Sequence, residues 1–144
     1  MAYKSKIKEI AEKLKAETQI KVATKVLEFV EADKQLLLQL NKQQLFEGTD
    51  AKGRPLGDYV NAAYVQRKGR DTVDLNLTGD FYAGFFIETK EFPVVFGSRD
   101  YKSKWLTKRY GQEIFGLDQA SLNVYIQGSF KKRFAAYFRA LLHV

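Results

Sequence analysis

Glu88-Thr89-Lys90 has the Glu-x-Lys form of a divalent-metal nuclease strand, and Asp80 and Asp74 lie shortly upstream. In such enzymes two acids hold magnesium and a lysine orients the attacking water. The tripeptide is common in lysine-rich chains, however, and here it falls where a hairpin reversal is expected instead of mid-strand. A solvated turn is the favoured expectation, with a nuclease acting through Asp80, Glu88 and Lys90 as a minor alternative. Cysteine is absent and the one histidine is His143, so a metal site is left to carboxylates and a Ser-His or Cys-His mechanism has no base. Gly48, Gly53 and Gly57 lack the Lys-Ser or Lys-Thr partner of a phosphate-cradling loop. No pair of acids stands out for glycoside chemistry. The expectation is a protein without catalytic residues, metal or cofactor.

Charge offers a second kind of chemistry. Residues 1–98 carry 15 Lys/Arg against 14 Asp/Glu, whereas residues 99–144 carry 9 against 3, so nearly all of the net +7 lies in the last third. A basic segment favours nucleic acid through counterion release. Arg67, Lys68 and Arg70 form one cluster and Lys131, Lys132 and Arg133 another. They are the DNA-contact candidates of an alternative expectation, a basic DNA-binding accessory protein. No zinc-finger spacing, RNP pattern or clear helix-turn-helix accompanies them, and a solvated helical face explains the charge equally simply.

At 144 residues, 45% hydrophobic and 14% aromatic, the chain has the length and composition of one folded domain. No run reaches the roughly 18 apolar residues of a membrane span, and no apolar signal-peptide core opens the chain. A soluble product of the cytoplasm is expected. Residues 1–46 read as helix, with Ile7, Ile10, Ala11 and Leu14, then Ile20, Ala23, Val26, Leu27, Val30, Leu37 and Leu40, at helical spacing. A drift in register near Glu17-Thr18 predicts a bend or two helices. Unbroken, the helix would be about 60 Å long, so it would project from a small body, toward a neighbour in an oligomer.

Residues 47–72 are loop-rich, with a short helical turn within 59–70. Residues 73–98 read as the sheet. Val73, Leu75 and Leu77 alternate with polar residues as in a half-buried strand, and Thr78-Gly79-Asp80 turns the chain. A second strand then places Phe81, Ala83, Phe85 and Ile87 on one face and Tyr82, Phe86 and Glu88 on the other. After a reversal at 88–91, Phe92-Pro93-Val94-Val95-Phe96 returns. Aromatic residues on both faces imply that both are covered, the second by another subunit. Tyr82, Phe86, Phe92, Val94 and Phe96 are thus the subunit-interface candidates. Residues 99–144 return to helix: Lys102–Tyr110 stopped by Gly111, then a helix capped by Asp118 with the stripe Tyr125, Ile126, Phe130, Phe134, Tyr137, Phe138 and Leu141. The fold class is α+β: a long N-terminal helix or helix pair, a small antiparallel hairpin, and a C-terminal amphipathic helix packed on the sheet.

From residue 37 to about 120 the chain resembles a family. NKQQLFEGTDAKGRPLGDY, RKGR, VDLNLTGDFYAGFFIE and LTKRYGQEIFGL are similar, in that order, to small proteins of phages and prophages of Bacteroidetes. More loosely the chain resembles the virion morphogenesis and head–tail connector proteins of tailed phages. The resemblance makes Gln44, Leu45, Phe46, Gly48, Gly53 and Leu56 a helix exit and loop. It makes Asp74, Leu75, Leu77, Thr78, Gly79, Asp80, Phe81 and Tyr82 a strand-to-strand turn, and Tyr110, Gly111, Ile114, Phe115, Gly116 and Leu117 the junction before the last helix. These positions set backbone geometry and are not catalytic.

The function implied is a structural neck protein: a homo-oligomeric ring around the DNA-exit channel, acting as connector adaptor, tail-completion protein or tail terminator. Its partners would be portal, adaptor and tail proteins, with DNA passing through the lumen unread. Its place would be the virion neck, without a membrane.

Overall fold

The computed structural model describes residues 2–76 and 78–141; the side chains of residues 2–5, 14 and 141 lie outside that description. Leu77 and His143 therefore stand outside the comparison with sequence. The fold is mixed α+β and mostly helical, with one two-stranded antiparallel sheet. The elements are α1 (Ala2–Ala32), α2 (Lys34–Phe46), α3 (Ala62–Lys68), α4 (Asp80–Ala83), β1 (Phe85–Glu88), β2 (Val95–Ser98), α5 (Ser103–Tyr110), α6 (Gln119–Tyr125) and α7 (Lys131–Leu141).

Helix α1 runs unbroken through Glu17-Thr18, where a bend or a division into two helices was expected. Alanine, lysine, glutamate and leucine favour helix throughout, and no glycine or proline interrupts it. The break comes at Asp33, whose backbone leaves the helix at φ −101°, ψ 12°. Its carboxylate is drawn to the C-terminal helix and holds the chain there. Arg133 Nε and Nη2 each donate to it at 2.8 Å, Ser129 Oγ at 2.9 Å and Tyr125 Oη at 3.2 Å. At 31 residues, α1 is about 46 Å long. Its side chains at 6–13 and 15–21 are all exposed, and coverage begins only at Val22.

The sheet region departs from the expected strand pair. Residues 73–76 are irregular, and Thr78-Gly79-Asp80 opens the single helical turn α4 instead of a strand. Gly79 takes φ 85°, a left-handed conformation that side chains resist. Thr78 Oγ1 donates to the Asp80 carboxylate at 2.8 Å, and the Ala83 N–H closes the turn on the Gly79 carbonyl at 2.9 Å. Phe81 and Phe85 are buried but Ala83 is exposed, as a helical turn and not an alternating strand requires. The true hairpin is β1–β2, in register Phe85↔Ser98 to Glu88↔Val95, with a longer reversal over 89–94.

Two four-residue strands are marginal alone, and helices pack on the face that carries Phe85, Ile87 and Phe96, while Glu88 and Val95 on the other face are exposed. One cluster joins Leu38, Leu45, Val73, Leu75, Phe81, Phe85 and Ile114; the other joins Val30, Leu37 and Tyr125. Ile87 and Phe96 pack against both, so the hairpin bridges the two. Asp118 caps α6, its carboxylate accepting the Ser121 N–H at 2.8 Å. The helix meets the sheet through Tyr125 and is then kinked at Gly128 (φ −91°, ψ −106°). Beyond the kink Phe130 and Tyr137 lie edge-on to Phe29, with 6.2 Å between ring centroids in each pair. The stripe is thus shared between sheet and α1, while Ile126 and Phe138 stay exposed.

Candidate functional site

Two buried carboxamides organise the junction before α6. Asn41 and Gln44 lie on the inner face of α2 beside Leu37, Leu38 and Leu45. Asn41 Nδ2 donates to the Ile114 carbonyl and its Oδ1 accepts the Gly116 N–H, both at 3.1 Å. Gln44 Nε2 donates to the Gly116 carbonyl at 3.1 Å, and its Oε1 accepts the Asp118 N–H at 2.7 Å. The Ile114-Phe115-Gly116-Leu117 segment is therefore held by a side-chain surrogate for a strand. Phe115 packs its ring on Phe81 and Phe85, and Gly116 is left-handed at φ 115°. Gly111, also at positive φ, ends α5.

The loop after α2 is pinned equally closely. Gly48 has φ 90°, and a β-carbon there would lie 2.5 Å from Thr72 Cγ2. Asp50 Oδ1 accepts the Lys52 and Arg54 N–H groups at 2.9 Å each, fixing the turn that contains Gly53.

The densest polar cluster surrounds Asp74, which is 2% exposed. Its Oδ1 lies 2.7 Å from Lys68 Nζ and accepts from Tyr59 Oη at 3.2 Å and the Asn76 N–H at 3.0 Å. Arg70 Nη1 is 3.4 Å from Oδ2, and the Tyr82 hydroxyl donates to the Asp74 carbonyl. The chain is bent around this group: Leu75, at φ 59°, is the one non-glycine residue at positive φ among those described. Burial, followed by the negative charge of Asp74, pushes the Tyr59 phenol up to about 12, and burial and Asp74 push Tyr82 well above the usual phenol range. Both hydroxyls therefore remain protonated donors at neutral pH.

These geometries redistribute the expected site residues. Lys68 and Arg70 are committed to Asp74, and Arg133 to Asp33, so half of the six DNA-contact candidates are ion-paired within the molecule. Lys131, Lys132 and Arg67 are exposed. Of the interface candidates, Tyr82, Val94 and Phe96 pack against the chain's own clusters. Phe86 is half-buried, with the Arg99 guanidinium 5.2 Å above its ring. Phe92 remains open at 52% exposure. The aromatic ribbon is thus mainly internal, because helices α2, α5 and α6 cover what the sequence left to a neighbour. Asp74 is neutralised by its two cations, Asp80 serves α4, and Glu88 ends β1, exposed. Among the described residues no group of three His, Cys, Asp or Glu is placed to hold a metal.

Two adjoining concavities lie beside Asp74. One, of about 200 Å³, is lined chiefly by Tyr59, Tyr64, Asn76, Phe81, Lys102 and Tyr110. The other, of about 500 Å³, is lined by Phe46, Tyr64, Arg67, Lys68, Arg70, Asp74 and Asn76. Asn41, Tyr59 and Asp33 were not anticipated from sequence. For Asn41 the signal was present: a carboxamide at helical spacing within an apolar stripe.

Comparison with protein-family models, curated proteins and solved structures gave no match. Among the described residues no helix is long and apolar enough to cross a membrane.

Proposed function

We propose that this chain is a structural neck protein of a tailed phage, copied into a ring around the DNA channel as adaptor, tail-completion protein or tail terminator. The observation that carries the proposal is the bare arm of α1. Ile7, Ile10 and Ile20 are 65%, 57% and 67% exposed, on a helix that leaves the core near Val22. Ile7 and Ile10 lie one turn apart on this exposed arm, a short apolar surface that a neighbouring copy could cover. An apolar cleft of about 220 Å³, lined by Val30, Leu37, Val94, Phe96, Leu117, Leu122 and Tyr125, offers a seat for the arm of the next copy. An arm-to-cleft contact is heterologous, the kind of contact that builds a ring when the rotation between successive copies closes. The motif resemblance points the same way.

The interface assigned to the hairpin ribbon moves accordingly to α1 and this cleft, with Phe92 and Val95 as the exposed remainder of the ribbon. Light scattering and negative-stain microscopy of the purified full chain test the proposal. Closed rings are expected; a monomer at every concentration reached, or particles of the host phage that lack the polypeptide, would overturn it.

A further inference from the structure

We infer that the two concavities beside Asp74 form a nucleotide-binding site, with a planar base in the tyrosine-lined chamber and its phosphate on the basic shelf. The smaller chamber, about 200 Å³, is of the order of the roughly 150 Å³ cavity that accepts a benzene ring. Tyr59, Tyr64, Phe81 and Tyr110 give it aromatic walls, and any base can stack on such walls because every base has a π-face.

Hydrogen-bonding capacity is left over at the mouth. The Asn76 carboxamide and the Tyr64 and Tyr110 hydroxyls have no hydrogen-bond partner among the described residues. Asn76 and Tyr64 line both chambers, so they stand at the junction. A carboxamide supplies paired donor and acceptor groups for a base edge.

The shelf suits an anion. Arg67, Lys68 and Arg70 face one carboxylate, Asp74, leaving two uncompensated positive charges. Arg67 has no acidic partner among the described residues, and its guanidinium sits 5.4 Å from the Tyr64 ring centroid. Lys68 Nζ donates to Asp74 and to the Asn76 carbonyl and lies 5.5 Å from the Tyr59 ring centroid, which fixes its charge at the inner edge of the shelf. Arg70 is fixed by donation to the Thr72 and Phe46 carbonyls at 3.0 and 2.8 Å. The buried aspartate thus holds two cations in place before any anion arrives, which lowers the ordering cost of binding.

Ring chamber and anion shelf are two distinct spaces whose linings share Tyr64 and Asn76. Two spaces suit a base and a phosphate held apart by a sugar, whereas a phosphotyrosine carries its phosphate directly on the ring. The site stands whether or not the protein forms a ring.

Binding to the full chain is measured by calorimetry with AMP and dTMP, their nucleosides, phosphotyrosine, and a ten-residue oligothymidylate. A nucleotide should bind at least tenfold more tightly than its nucleoside. Arg67→Ala, at an exposed position, should weaken it about tenfold, and Asn76→Leu or Tyr64→Ala should weaken it comparably, while Lys131→Ala changes nothing. Equal affinity for mononucleotide and oligomer assigns the site to free nucleotides; at least tenfold tighter oligomer binding, still sensitive to Tyr64→Ala, assigns it to single-stranded DNA. Either result supports the inference. Nucleotide binding no tighter than nucleoside binding, preference for phosphotyrosine, or oligomer binding indifferent to Tyr64 and Asn76 would overturn it, and the first comparison needs no variant.

Discussion

Asn41 illustrates how one side chain can commit a long stretch of backbone. It is wholly buried and satisfies both the Ile114 carbonyl and the Gly116 N–H. Replacement by leucine keeps the branched outline, though not the volume, and strands those two backbone groups, and each buried unsatisfied group costs about 1–3 kcal/mol. Asn41→Leu should therefore lower unfolding free energy by about 2–4 kcal/mol in urea titration; an unchanged midpoint would refute the clamp. Gly48→Ala should cost about 1–3 kcal/mol, from positive φ and the close approach of Thr72. Both effects should show as lower thermal midpoints. Asp33 makes the acid prediction. Burial raises its pKa, but hydrogen bonds from Arg133, Ser129 and Tyr125 outweigh that and hold the carboxyl below its ordinary value. A depressed carboxyl stabilises the fold above its unfolded pKa of about 3.9, and the contribution fades as pH falls through the lower folded value. In urea midpoints between pH 7 and pH 3, Asp33→Asn should be less stable at neutral pH and decline less in acid. An acid decline as steep as in the parent would discount the pair.

Among elements, the helices were legible because period, caps and stops agree: α5 ends at Gly111 and α6 begins at Asp118, as the residues imply. Over its described residues, 73–76, the expected strand was misread for a physical reason. Val73, Asp74 and Leu75 are all buried, so the apolar–polar alternation marks a loop wrapped over the core around one neutralised carboxylate, with no solvent face. Likewise the double-faced aromatics of 81–87 are divided between a helical turn and a strand, which alternation alone cannot reveal. The Asp74 cluster was hidden because its members Tyr59, Lys68, Arg70 and Tyr82 meet only through tertiary folding. For α1 the prediction concerns assembly. Ile7→Glu with Ile10→Glu removes apolar surface already in water, so the thermal midpoint should stay within the change expected of about ±0.5 kcal/mol. Light scattering should report smaller particles; rings of unaltered mass would show that the arm is not the contact.

For the molecule as a whole, the α+β organisation was readable, while the division of labour within it was not. Charge that looked available for DNA is partly spent inside, on Asp33 and Asp74, and the ribbon that looked available for a neighbour is mainly core. The Asp33–Arg133 bridge joins positions 100 residues apart. A chain emerging from the ribosome reaches Asp33 early and Arg133 late, so through most of synthesis the carboxylate has no guanidinium to meet. The junction of α1 and α2 should accordingly stay hydrated in the nascent chain and dry only when α7 arrives, giving slow protection of amides near residue 33 in pulse-labelled refolding. Helix α7 thus acts as the latch on the junction of α1 and α2.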